Sequence, residues 1–313
     1  METSVGFRRL VVTAAVAVWA LVVVGGIVRV SESGLGCPDW PLCHGKFVPS
    51  GYKEPVIEFS HRATAAVSIV LLVAATVWAW RRYRDRREVL VPLAIAVALV
   101  PFQAVLGAIV VWLELPDRLV GVHFMVGLTM LALATFAAAA AVQKPRAMTA
   151  AFERTALALG GACLLLVSLG AGVVSTDGMH ACGAEWPACN GGVASGGGIA
   201  VLQVVHRSTG YLVFALALAL LVLALRGRGP RLLGAAPACI ALAQIGFGVG
   251  IVLSGHGGLP HDVFRILHVA GAATLWVSAV AVAASVLVPV QSAERSGAQT
   301  APVTKAAVQP AGR

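Results

Sequence analysis

Charged residues are scarce in this 313-residue chain, at 12% of the total. Soluble domains carry roughly 25% charged residues, so this scarcity excludes a water-soluble globular protein. Disorder of the whole chain is excluded as well, because disorder requires low hydrophobicity and 58% of these residues are hydrophobic. The length corresponds to roughly eight membrane spans of about 20 residues with their loops. The composition therefore indicates a polytopic membrane protein in contact with the lipid bilayer.

Eight apolar runs contain no Asp, Glu, Lys or Arg, and each is at least 18 residues long, which is enough for a spanning helix. Their apolar residues are continuous rather than alternating, which argues against membrane strands. The second, fourth, sixth and eighth helices are expected to begin a few residues before their runs. The predicted fold is an all-α membrane protein with eight transmembrane helices. The runs occupy residues 10–28, 63–80, 89–113, 119–143, 155–176, 208–225, 232–258 and 266–293.

The basic residues predict the orientation of the helices. Sixteen of the 23 lysines and arginines fall before the first run, in alternate connections or after the last run, all on one side of the membrane. The positive-inside rule places that side, with both termini, in the cytoplasm. The net charge of +9 is then explained by the basic residues on the cytoplasmic side, and no nucleic-acid partner is expected. These residues are Arg8, Arg9, Arg81, Arg82, Arg84, Arg86, Arg87, Lys144, Arg146, Arg154, Arg226, Arg228, Arg231, Arg295, Lys305 and Arg313.

The chain contains an internal repeat. Three pairs of rare residues share an offset of 145: Cys37 with Cys182, His61 with His206, and His123 with His268. Each half has four spans, so the halves are predicted to be four-helix bundles related by a pseudo-twofold axis along the membrane normal. The first helix has a counterpart in the repeat and is expected to be retained rather than cleaved. The predicted domains are residues 1–143, residues 144–291 and a disordered cytoplasmic tail, residues 292–313.

Four histidines at matched positions of the even-numbered helices are the main candidate site. An imidazole inside a membrane helix is costly, so it suggests a function, although a single one can simply bond to a neighbouring helix. Side chains on facing helices build cofactor sites in four-helix bundles. Pairing His61 with His123 and His206 with His268 gives one pair per half, as two axial ligands of haem iron would require. Both sites are expected near the extracytoplasmic face.

Cations near the histidines favour haem over a bare metal ion. Arg62 and Arg207 directly follow a ligand candidate, Arg265 precedes His268 by about one turn, and Arg29 ends the first helix. Arginine pairs well with carboxylates, and haem carries two propionates. The alternative is that these arginines extend their head groups to the membrane surface.

One position distinguishes the two halves. Glu58 precedes His61 by three residues, and the corresponding residue in the second half is Gln203. A carboxylate within an apolar helix is energetically costly, so its presence suggests a function. The asymmetry therefore suggests that the first site performs chemistry and that the second stores or delivers electrons. The alternative is an ion pair of Glu58 with Arg29 or Arg62.

Two outer loops each contain two cysteines, Cys37 with Cys43 and Cys182 with Cys189. An oxidising exterior favours a disulfide within each loop. A zinc site shared by all four cysteines, or a redox-labile dithiol near the first haem site, are the alternatives. The remaining histidines are expected to be solvent-exposed in outer loops, namely His44, His180, His256 and His261.

These residues resemble the heme A synthases, over roughly residues 10–290. The resemblance rests on the segment 34–45, on Glu58-Phe59-Ser60-His61-Arg62, and on the three later histidines with Arg207. It implies an oxidoreductase that oxidises the C8 methyl of heme O to the formyl group of heme A by successive hydroxylations. In the family pattern, the C-terminal pair would ligate a resident haem b and the N-terminal pair would hold heme O. Glu58 would be the catalytic carboxylate, and the first cysteine pair a redox-relevant disulfide.

The resemblance also implies partners and a location. The chain would act in the cell membrane, would take heme O from heme O synthase, and would need an electron donor that the sequence does not name. A homo-oligomer is an open possibility. The alternative function is a membrane di-haem b electron carrier that does not modify haem; a transporter, which the repeat also suggests, would need broken helices at the midplane.

Overall fold

In the computed structural model, the described part of the chain forms eight helices. It comprises residues 3–49, 51–143, 148–176, 178, 181–183, 185–187, 189, 197–255 and 257–288. Every helix is long and apolar enough to cross a membrane, which confirms the predicted fold class. The predicted tail, residues 292–313, lies outside the described residues, as do Lys144, Arg146, His180 and His256. The helices are α1 (Val5–Val30), α2 (Lys53–Arg82), α3 (Arg87–Trp112), α4 (Asp117–Val142), α5 (Ala150–Ser175), α6 (Gly197–Leu225), α7 (Arg231–Leu253) and α8 (Leu259–Leu287).

The even-numbered helices begin before their apolar runs, as predicted, but two of them begin much earlier than expected. α2 starts at Lys53 and α6 at Gly197, each about three turns before the uncharged run begins. The extra turns carry Glu58 and Arg62 in α2, and Arg207 in α6. These polar side chains face the protein interior and the outer loops rather than lipid, so the helix continues although the sequence is no longer purely apolar.

Within each half the helices pack in a ring. In the N-terminal half, α1 contacts α2, α2 contacts α3, α3 contacts α4, and α4 contacts α1. In the C-terminal half, α5 to α8 contact one another in the same cyclic order. Consequently α2 lies diagonally opposite α4, and α6 diagonally opposite α8. These are the helices that carry the four histidines.

The halves meet along α1–α8, α4–α8 and α4–α5. Two indole N–H groups donate across this boundary, from Trp19 to the Thr274 hydroxyl at 3.1 Å and from Trp276 to the Leu128 carbonyl at 3.0 Å. The inner part of α4 is a run of buried alanines, residues 137–141, which lets neighbouring helices approach closely. Close packing and interhelical hydrogen bonds stabilise membrane bundles, so these contacts hold the two halves together.

Candidate functional site

Each of the four histidines lies against a glycine of the preceding helix. A Cβ placed on that glycine would lie 3.0 to 3.3 Å from the histidine Cε1 atom, closer than ordinary van der Waals contact. Only glycine therefore lets the ring lie directly on the backbone of the neighbouring helix. The four contacts are Gly25 with His61, Gly107 with His123, Gly170 with His206, and Gly248 with His268.

This packing orients the two ring nitrogens differently. In all four histidines Nδ1 is buried without a well-formed hydrogen bond, whereas the ring as a whole is only half-buried. For three of them a backbone carbonyl of the glycine's own helix lies near the imidazole ring, from Leu21, Leu166 or Gln244. A histidine that ligates a metal through Nε2 commonly directs its other nitrogen toward a backbone carbonyl. Nε2 is thus the accessible nitrogen, as an axial ligand requires.

The rings of His206 and His268 face each other across the C-terminal half. Their centroids are 6.4 Å apart and their planes are inclined by 66°. Two imidazoles that share one metal ion place their ring centres roughly 6 Å apart, because each metal–nitrogen bond is about 2 Å. The residues present therefore fit a haem iron with two axial imidazoles. His61 and His123 lie on α2 and α4, the diagonally opposite helices of the N-terminal half, as His206 and His268 lie on α6 and α8.

A glutamine from the third helix of each half holds the turn that carries the second histidine. Gln103 donates from Nε2 to the His123 carbonyl at 2.9 Å, and Gln244 donates to the His268 carbonyl at 2.8 Å. These bonds fix the depth of α4 against α3 and of α8 against α7. The matched pair shows that the two halves position their histidines by the same contacts.

Glu58 is buried, with 4% of its surface exposed, and both of its oxygens are engaged. Oε2 accepts the backbone N–H of Cys37 at 2.8 Å, and Oε1 accepts from the Arg62 guanidinium at 2.5 Å. In the second half, Gln203 Oε1 accepts the backbone N–H of Cys182 at 3.2 Å. The amide makes the same loop contact without a charge. The difference between the halves is therefore a buried carboxylate and its ion pair, about one turn from a histidine.

Arg62 and Arg207 bind the two cysteine loops. Arg62 donates to the carbonyls of Cys37 at 2.8 Å and Leu42 at 2.7 Å. Arg207 donates to the corresponding part of the second loop, at the Glu185 carbonyl, 3.0 Å away. Each arginine thus ties its histidine-bearing helix to the loop above it. These arginines were predicted to lie at haem propionates, and their contacts with the loops were not predicted.

Both loops are closed by disulfides, between Cys37 and Cys43 and between Cys182 and Cys189. These disulfides exclude a zinc site shared by the four cysteines, because zinc binds thiolates and these sulfur atoms are bonded to one another. No group of three or more His, Cys, Asp or Glu side chains suited to a metal ion occurs within the described ranges.

Asp39 stabilises the first loop from inside. Its carboxylate accepts the backbone N–H groups of His44 and Gly45, both at 2.6 Å. These N–H groups, that of Gly45 most strongly, hold the pKa of the Asp39 carboxyl below its usual value. The ring of His44 is exposed, as expected, and its Nε2 lies 2.9 Å from the Gly36 carbonyl.

Two further residues differ from a simple reading of the sequence. His261 was predicted to be solvent-exposed, and this prediction is wrong: its exposed fraction is 3%. α8 begins at Leu259, so His261 lies in its first turn, where Nδ1 is 3.2 Å from the Ser254 hydroxyl at the end of α7. Arg265 pairs with Asp262 of its own helix at 3.5 Å, close to His268 in sequence.

The contact between the glycines and the histidines was not predicted from the sequence. Gly25 and Gly170 have the same offset of 145 residues as the histidines that they contact, so the repeat contained a detectable signal. Gly107 follows Gln103 by four residues, and Gly248 follows Gln244 by four residues. What the sequence alone did not show is that these glycines face the imidazoles.

Comparison with known proteins agrees with this site. Residues 8–280 match a family model described as cytochrome oxidase assembly protein (COX15-CtaA). A heme A synthase from Halalkalibacterium halodurans is 31% identical over 74% of this chain and 82% of its own length. One from Exiguobacterium sibiricum is 30% identical over 80% and 87%, and one from Shouchella clausii is 29% identical over 84% and 92%. The matched region contains all four histidines, both cysteine loops and Glu58, and the chain belongs to the cytochrome oxidase assembly protein family.

Proposed function

We propose that this chain is a heme A synthase, an oxidoreductase that converts the C8 methyl of heme O to a formyl group by successive hydroxylations. The observation that carries the proposal is the match to heme A synthases across a region that contains four histidines with accessible Nε2 atoms. The di-haem electron carrier is not favoured. It would give no reason for a buried Glu58 in one half and Gln203 in the other.

Each half has a distinct role in this proposal. His206 and His268, whose rings are 6.4 Å apart, would hold a resident haem b. His61 and His123 hold heme O, the substrate, in the half that also contains Glu58. The two halves are four-helix bundles related by a pseudo-twofold axis, comprising residues 1–143 and 144–291.

The residues of the N-terminal half position the substrate and supply the carboxylate. His61 and His123 fix the iron of heme O, and the glycines beneath them fix the rings. Glu58, about one turn from His61, is directed by the Cys37 N–H and Arg62, so its charge stays at one place beside the substrate. Its role is to stabilise positive charge that develops on the oxidised methyl carbon, or to take up its proton. Resident haem b, when bound, supplies electron transfer to this reaction.

Arg62, Arg207 and Arg265 are the proposed contacts of the propionates. A guanidinium has five N–H donors, and in Arg62 the two terminal nitrogens donate to the loop and to Glu58, which leaves the Nε–H for a propionate. Arg265 has only a long contact of 3.5 Å to Asp262 and can rearrange more easily.

The location and partners follow from the same reasoning. The chain is a multi-pass membrane protein. The distribution of basic residues supports an orientation in the cell membrane with both termini on the cytoplasmic side. Both haem sites then lie near the extracytoplasmic face. Heme O synthase is the proposed source of substrate, together with an electron donor of unknown identity.

The test is coexpression with a heme O source in a host that lacks heme A, followed by extraction and separation of the pigments. Heme A in the extract is the expected result, and an extract with only heme O and haem b contradicts the enzyme function. The assignment of halves has its own test. His206→Ala and His268→Ala are expected to lose haem b, and His61→Ala to keep haem b but yield no heme A. Full haem b retention in both C-terminal variants reverses the assignment.

A further inference from the structure

A groove of about 390 Å³ lies between α4 and α5, at the boundary of the two halves. One wall runs along α4 from Arg118 to Thr129, and the other along α5 from Ser175 to Ser168. Eleven residues of helix rise about 16 Å, which is close to half of the roughly 30 Å hydrocarbon thickness of a bilayer. The groove therefore has the depth of one leaflet, and Arg118 marks its end at the membrane surface.

The groove is separate from both histidine pairs. Successive residues of an α-helix are about 100° apart, so His123 points about 130° away from the groove-lining face of α4. On α5, Gly170 lies beneath His206. It is about 150° away from the face that lines the groove. A molecule in this groove would not occupy the site described above.

The corresponding boundary on the other side of the molecule, the closed boundary, is packed more tightly. By the offset of 145, α4–α5 corresponds to α8–α1. There, Trp19 donates to Thr274, and Val269 packs so closely on Gly26 that a Cβ would lie 2.6 Å from its Cγ1 atom. In the α4–α5 boundary a Cβ on Gly121 would lie 3.3 Å from the Ser175 Cβ, so the two helices are in contact there and the groove runs along the surface of that contact.

The difference is explained by residue size and charge at matched positions. Four of the small residues that line the groove have a larger aliphatic counterpart in the closed boundary, whereas Ala171 is matched by Gly26. Arg118 is matched by Val263, so the positive charge is also confined to the open side. The small residues and their counterparts are Gly121 with Ile266, Ser168 with Val23, Gly172 with Ile27, and Ser175 with Val30.

The lining is apolar apart from Arg118. The hydroxyls of Thr129, Ser168 and Ser175 each donate to a carbonyl of their own helix, at 2.8 to 2.9 Å, and present no free donor to an occupant. Arg118 is exposed and has no ion pair or hydrogen bond with any described residue. The neighbouring Asp117 is occupied by Arg29 at 2.6 Å. The groove therefore offers an apolar channel with one unpaired cation at its end.

We propose that this groove binds an anionic phospholipid, with the phosphate on Arg118 and one acyl chain lying along α4 and α5. The length of the channel matches one leaflet, and the charge at its end matches the headgroup. A neutral isoprenoid would not require the arginine, and a soluble phosphate would not require the channel.

Native mass spectrometry of the purified haem-loaded protein can test this with phosphatidylglycerol and phosphatidylcholine of identical acyl chains. The wild-type protein is expected to retain one phosphatidylglycerol in preference to phosphatidylcholine. Arg118→Gln should lower that preference about fivefold, because a basic residue near an anionic membrane surface contributes about 1 kcal/mol. Lys46→Gln removes an exposed cation of the first cysteine loop and should leave the preference unchanged. An unchanged preference in Arg118→Gln overturns the proposal.

A second variant fills the channel. Gly121→Ile combined with Ser168→Val introduces residues that the closed boundary already has at matched positions, and it should retain neither lipid. Haem content and thermal stability show whether the variant folds; if it does not, the Arg118→Gln measurement still decides. Three further outcomes contradict the proposal. These are competition by glycerol phosphate as strong as by the lipid, displacement by farnesol that is independent of Arg118, and a wild-type dimer that dissociates when the groove is filled.

Discussion

The ring of His206 lies directly on Gly170 of the neighbouring helix, where a Cβ would come within 3.2 Å of its Cε1 atom. The same contact between a histidine and a glycine occurs at all four candidate ligands. It buries Nδ1 and leaves Nε2 accessible, so the glycine determines which nitrogen can bind iron.

Gly170→Val should displace the His206 ring and abolish binding of haem b, measured as haem per protein after purification. Gly161→Val is the matched control, because Gly161 lies on the same helix with no side chain within 4 Å. It should keep its haem. Equal haem content in the two variants would show that the contact does not position the ring. Gly25→Val should in turn lower heme A yield while haem b remains.

Glu58→Gln should retain the fold and both haem sites but lose heme A, by roughly 100-fold if the carboxylate takes part in proton transfer. Gln203 already makes the equivalent loop contact as an amide, so the loop tolerates the change. The product is measured by separation of extracted pigments. Gln203→Glu serves as the converse control and should not alter the yield. A normal heme A yield from Glu58→Gln would leave the carboxylate a purely structural role.

Arg62→Gln should loosen the first cysteine loop. Hydrogen bonds to charged groups contribute about 1.5–3 kcal/mol each, so the loss of even one should make the Cys37–Cys43 disulfide about tenfold faster to reduce. Thiol alkylation followed by mass spectrometry measures this rate. The Cys182–Cys189 disulfide of the same molecules is an internal control, and Arg207→Gln should reverse the pattern. Identical rates for both disulfides in both variants would contradict the loop-anchoring role.

The first loop should resist mild acid. The pKa of Asp39 is lowered in the folded loop, so its carboxylate contributes stability at pH values above the unfolded pKa near 3.8. That contribution is lost only as the pH falls through the lower, folded pKa. The amide resonance of ¹⁵N-labelled Gly45 should therefore titrate with a midpoint below pH 3.8, and should not titrate in Asp39→Asn. A midpoint above that value would place the carboxylate outside its hydrogen bonds.

Much of this molecule was predictable from its sequence because the lipid environment imposes simple rules. Long uncharged runs gave the spans, and the repeat identified the histidines as matched sets. The contacts of Arg62 were not predictable, since backbone carbonyls of a loop have no residue type that marks them. His261 was misassigned because helix α8 begins in a polar segment, where hydropathy cannot locate the first turn. The glycines were visible as repeated residues, but their role depends on the rotation of each helix.

The two indole hydrogen bonds across the boundary of the halves have a practical consequence. Trp19 and Trp276 each donate from one half of the molecule to the other. Any event that separates the halves, whether substrate entry, product release or unfolding, breaks a hydrogen bond of a natural fluorophore. The protein thus contains its own reporters of movement between its halves, and substitution of either tryptophan by phenylalanine would assign the signal to one contact.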